Sequence, residues 1–177
     1  MKNPNAPRPE TIECDITINH SEAIFDIQNI THKIGRAHFD GSNIMRVSVM
    51  QADDSPQDTA LIARFLERRI AAVESKVIRY SRGRDTKEET DAAGRSSMTT
   101  TISLAFPDNW QEHCRPNLET AIYDYVVNAC VSDFLANTNT AEAAIYAERA
   151  EIDLEQIKYY VSTRKPGTMR RHRHFIG

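Results

Sequence analysis

The chain has 177 residues and a mass of 20.1 kDa, with 40% hydrophobic and 27% charged residues and a formal net charge of −3. That length fits one domain able to bury roughly 70% of the surface its unfolded chain exposes, so the core needs no disulfide or metal to hold it. Cys14, Cys114 and Cys130 stand far apart with no CxxC pair, and no stretch reaches the ~18 to 20 apolar residues needed to cross a bilayer, which excludes a disulfide-built domain and a membrane span.

Residues 1–10, MKNPNAPRPE, hold three prolines and no apolar run and read as a disordered leader. Ile12, Cys14, Ile16 and Ile18 then alternate with Glu13, Asp15 and Thr17, the period of two that marks a strand with one buried face, near 11–19. Ser21 is a candidate cap for a first helix with apolar positions at Ile24, Ile27, Ile30 or Thr31, and Ile34, weakened at Gly35 and ending near Ala37. From His38 to Asp54 the pattern predicts a loop with a brief strand in Ile44 to Met50. Ser55-Pro56-Gln57-Asp58 is a strong helix start, with a capping hydroxyl, proline in the first turn and an acid at the positive end of the dipole. The second helix that follows places Leu61 or Ile62, Phe65 or Leu66, Ile70, Val73 and Val77 inward, with Arg64, Arg68 and Arg69 read as a solvated cluster.

Residues 81–97 contain eight charged residues and two glycines with no large apolar side chain, and read as a flexible charged loop. A second strand is expected near 98–106, where Met98, Thr100, Ile102, Leu104 and Phe106 alternate with Thr99, Thr101, Ser103 and Ala105. Pro116 falls in the first turn of a third helix reaching Ala136, with Leu118, Ile122, Tyr125 or Val126, Ala129 and Phe134 inward. Asn139 and Glu142 form a capping pair for a fourth helix, antiparallel to the third, whose stripe is Ala143, Ala147, Ala150, Leu154, Ile157 and Val161. The expected architecture is mainly α: a four-helix bundle with a small two-stranded β element, forming a single domain over 11–163.

Residues 164–177 form a basic tail without acidic residues: Arg164, Lys165, Arg170, Arg171 and Arg173, with Phe175 and Ile176 as an apolar hook. These five cations leave 17 basic against 25 acidic residues in the rest of the chain, a body near −8 beside a tail of +5. Body and tail therefore suit different partners. His113-Cys114 and His172-x-His174 lack the further ligands of a tetrahedral metal site, and Gly35 with Gly41 does not make a phosphate loop, so no metal, cofactor or catalytic group is expected. Glu148, Glu151, Asp153 and Glu155 lie off the helical stripe, where solvation or pairing with Arg149 and Lys158 accounts for them.

The order from Leu118 to Arg171, a Tyr- and Val-rich helix (Ala121-Ile122-Tyr123-Asp124-Tyr125-Val126-Val127), an Asn/Thr turn, an Ala/Glu-rich helix ending Ile157-Lys158-Tyr159-Tyr160-Val161, and then Arg164-Lys165-Pro166, resembles head-tail connector (adaptor) proteins of tailed bacteriophages, of the kind seen in phages and prophages of gut Bacteroidetes. Ile27 to Gly35 and Leu61 to Ile70 fit the earlier part of that pattern; the strand at 11–19 and the loop at 81–97 do not match it. The resemblance implies a non-enzymatic virion protein of the neck, present in host cytoplasm during assembly, forming a homo-oligomeric ring, commonly twelvefold. The ring would dock on the portal protein, meet other neck and tail proteins, and let DNA pass without specific binding. It places portal docking on Arg164, Lys165, Arg170, Arg171, Arg173, Phe175 and Ile176. The alternatives are a different neck or tail-completion ring protein, or a small nucleic-acid-binding protein gripping phosphate with its basic tail.

Overall fold

The computed structural model describes residues 11–90 and 96–166, so the expected leader lies outside the described residues. Strand β1 (Thr11–Asn19) turns Cys14, Ile16 and Ile18 inward and leaves Glu13, Asp15 and Thr17 outside. Strand β3 (Ser96–Pro107) buries Thr100, Ile102, Leu104 and Phe106 and runs antiparallel to β1, from Thr11 opposite Pro107 to Asn19 opposite Thr99. Its other edge carries strand β2 (Ser81–Thr90), also antiparallel, giving the order β1-β3-β2. The register slips between Ser81 and Gly83, and Gly83 takes a φ of +145° there, a conformation that side chains rarely adopt.

Five helices accompany this sheet among the described residues, which makes this an α+β fold and corrects the expected four-helix bundle with a two-stranded element. The missed strand β2 is SRGRDTKEET, exposed along nearly its whole length, so it has no apolar alternation to betray it. Ladder hydrogen bonds to β3 hold it, not burial of its own side chains. Residues 81–90 are thus not a loop, and residues 91–95 lie outside the described residues.

Helix α1 (His20–Ala37) is capped by Asn19 rather than Ser21: Asn19 Oδ1 accepts from the backbone N–H groups of Ser21 and Glu22. Gly35 lies buried inside α1, where a Cβ would come within 2.5 Å of the Gln51 side chain, so the glycine serves a close crossing. Helix α2 (Ile44–Ser48) stands where a loop or brief strand was expected; Val47 points inward and the following Met50 is buried. Helix α3 (Pro56–Lys76) starts as the sequence predicts, with Asp58 N–H donating to Ser55 Oγ at 3.2 Å, and selects Ile62 and Leu66 as its buried positions. A 3-10 turn (Glu112–Cys114) leads into helix α4 (Arg115–Leu135).

Helix α4 is buried on nearly every side, packing against α1, α3, β1 and helix α5 (Thr140–Ser162). Its run Ala121, Ile122, Tyr125, Val126, Val127, Ala129, Cys130 and Val131 is apolar almost all round, as a central helix requires. Helix α5 lies along α4 and buries Ala143, Ala150, Leu154, Ile157 and Val161; Ala147 of the expected stripe is exposed. Asn139 Oδ1 accepts from Glu142 N–H at 3.2 Å, which is the predicted cap.

Candidate functional site

The chain leaves α5 over Trp110. This indole is fully buried, stacks on Phe106 with ring centroids 4.1 Å apart, and donates its Nε1–H to the Tyr160 carbonyl at 2.9 Å. Trp110 and Arg164 pair as an antiparallel bridge, and Lys165 N–H donates to the Asn109 carbonyl at 2.7 Å. The Arg164 guanidinium donates to Tyr80 Oη at 2.9 Å and to the carbonyls of Val161 and Thr163, with its carbon 5.8 Å from the Tyr80 ring centre. A cation against the last carbonyls of a helix is favourably placed. Lys165 Nζ donates to the Asp108 carbonyl at 3.1 Å. Of the seven expected docking residues, Arg164 and Lys165 are therefore fastened to the body. Arg170, Arg171, Arg173, Phe175 and Ile176 lie outside the described residues.

Among the described residues, large apolar side chains are exposed on α5 and around α2, besides Phe25, Ile78 and Met98. On α5, Ile145, Ile152 and Tyr159 are exposed, the last two at 53% and 64%, and they recur every seven residues on the side away from α4. Glu148, Glu151 and Glu155 are exposed between them; Glu155 accepts from Lys158 at 2.6 Å. Between α1 and α3, Phe39, Ile44, Met45 and Val49 are all at least half exposed, with Met45 at 85%. An Asx turn holds this cap, with Asp40 Oδ1 accepting from Ser42 and Asn43, hydrogen bonds that pull the Asp40 carboxyl below its ordinary range. His38 Nε2 lies 3.1 Å from Glu142 Oε1, which fixes the cap beside the first turn of α5. Both surfaces were missed in the sequence. The signal was there: a second heptad on α5, and a presumed loop too rich in large apolar residues to be one.

Interior polar groups are paired. Arg69, expected in a solvated cluster, forms a two-pronged ion pair with Asp133 that ties α3 to α4. His20 is buried with Nε2 2.9 Å from Thr100 Oγ1; burial pushes its pKa down, and the Glu67 carboxylate 3.9 Å away opposes the shift. The three cysteines are free thiols, with Cys130 pushed up to about 12 by burial, which makes it unreactive. An open groove of about 600 Å³ on α1 is lined by Phe25, His32, Lys33, Arg36, Asp53 and Asp54, charges of both signs. Among the described residues no group of three His, Cys, Asp or Glu side chains converges to hold a metal ion, and no helix is long and apolar enough to cross a membrane.

No protein-family model matches this chain, and no match to it was found among curated proteins or solved structures.

Proposed function

We propose that this chain is a structural subunit of a tailed-bacteriophage neck, a head-tail connector (adaptor) that assembles into a ring, docks on the portal protein and extends the DNA channel toward the tail. The observation that carries the proposal is the pair of outward apolar surfaces, the α5 stripe and the α2 cap. Met45, Ile152 and Tyr159 are each more than half exposed, and a subunit interface is where such side chains would be covered. The identity of the assembly comes from the resemblance of the Leu118 to Arg171 order to phage adaptors. An acidic body suits a conduit for DNA, because like charge keeps the duplex from sticking, and the basic residues after the body suit an anchor on an acidic face of the portal.

The anchor is tested by co-purification with the portal protein of the same genome. Because Arg164 and Lys165 are bonded into the body, the informative truncation removes residues 167–177 and keeps Pro166. The full chain is expected to be retained with the portal and the truncated chain lost at unchanged thermal stability. A truncated chain that still co-purifies contradicts the anchor assignment.

A further inference from the structure

We propose that two copies of this chain join edge to edge through β2, antiparallel about Thr86, so that their three-stranded sheets continue into one sheet of six strands. The contact closes on two copies and stands apart from the ring assignment.

A sheet of order β1-β3-β2 has two edges, and they differ. Along β1, the Arg115 guanidinium donates to the Asp15 carbonyl at 3.1 Å, and the exposed charges Glu13 and Asp15 are both acidic, so a second β1 would meet like charge. Along β2, residues 82–88 are exposed, and among the described residues no strand pairs with its outer side. That row of N–H and C=O groups is a template for another strand. Charged side chains ordinarily guard such an edge, but here their order makes the segment complementary to itself running the other way.

The register follows from the backbone. Groups that point to one side of a strand come from every second residue, so two antiparallel copies of β2 can pair only with one residue on the two-fold axis, opposite its own copy. Centring on Arg84, Asp85, Lys87, Glu88 or Glu89 sets the same charge on both sides of the axis. Gly83 lies at the register slip and Thr90 at the end of the strand, where few residues would overlap. Thr86 remains. Centred there, Arg84 faces Glu88 of the second copy on the side of the sheet that carries Thr100 and Ile102, and Asp85 faces Lys87 on the other side, each pair made twice. Asp85 and Lys87 of one chain already lie 3.2 Å apart, so the outer side gains four charges of alternating sign. Arg84 keeps its donors for Glu88, because it stands 3.9 Å from Glu74 and 4.0 Å from Glu67, beyond hydrogen-bonding reach. A parallel pairing in register would instead set every charge on its own copy.

The test reverses the two outer charges in the full-length chain, Asp85→Lys and Lys87→Asp, singly, mixed one to one, and together in one chain. Both side chains are well exposed, at 65% and 72%, so the core is spared. Mass is measured by light scattering after gel filtration over a concentration series without portal, with circular dichroism to verify folding. The wild type is expected to reach twice 20.1 kDa, and each single variant, which sets like charges opposite one another, to stay at 20.1 kDa. The mixture and the doubly reversed chain restore opposite charges across the axis and should return to the doubled mass, a rescue that damage to the fold would not give. A wild type that is monomeric at every concentration overturns the proposal. So do single variants that keep the doubled mass, or a mixture and a doubly reversed chain that stay monomeric. None of these outcomes touches retention by the portal, which tests the ring assignment separately.

Discussion

Trp110 joins the end of β3, the last turn of α5 and the backbone leading out at Arg164. Replacing it with alanine removes the Phe106 stack and leaves a large cavity, at a cost of about 3 to 5 kcal/mol. Trp110→Phe keeps the stack and loses only the bond to the Tyr160 carbonyl, so urea unfolding should rank it well above Trp110→Ala. His20 sets a pH dependence whose sign follows from its burial. Its folded pKa lies below the ordinary 6.5, so as pH falls through 6.5 the unfolded chain takes up a proton that the folded ring refuses. Stability is therefore whole above 6.5, falls below it, and levels off beneath the folded value. His20→Asn, which does not titrate and still reaches toward Thr100, should flatten that fall in unfolding measurements on either side of 6.5. An equal fall in both proteins would place the titration on other histidines.

Among the elements, α5 depends on its first turn, where Asn139 satisfies the Glu142 N–H; Asn139→Ala should cost about 1 kcal/mol in urea unfolding. That cap, the Ser55-Pro56 start of α3 and the alternation of β1 and β3 are legible because each leaves a local mark: a side chain that bonds its own backbone, or a face that must be apolar. β2 leaves none, since its partner lies across the ladder at Ser96 to Leu104 and its described side chains stay largely wet. α2 is too short for periodicity to register, and its outward apolar residues blur the amphipathic pattern. Arg69 reads like its exposed neighbours Arg64 and Arg68 because Asp133, its partner, is 64 residues away. Periodicity tells which face is buried. On α5 the same period of seven also marks Ile145, Ile152 and Tyr159 on the opposite face.

At the scale of the whole molecule, the core is complete without help: among the described residues no buried side-chain nitrogen or oxygen lacks a hydrogen-bond partner. The large apolar side chains left exposed, among them Met45 and Val49 around α2, Ile152 and Tyr159 on α5, and Phe25 and Ile78, lie outside that core. A body near −8 repels both DNA and copies of itself at low salt, so assembly driven by the apolar faces should strengthen as salt screens that repulsion; a salt series followed by light scattering checks this against the opposite trend expected of a phosphate-gripping protein. The most direct test of the assembly itself is the mass of the full-length protein by light scattering after gel filtration, alone and with the portal protein of the same genome. A single discrete species many times 20.1 kDa, or one formed on mixing, is the predicted result. A chain that stays at 20.1 kDa and ignores the portal would contradict it.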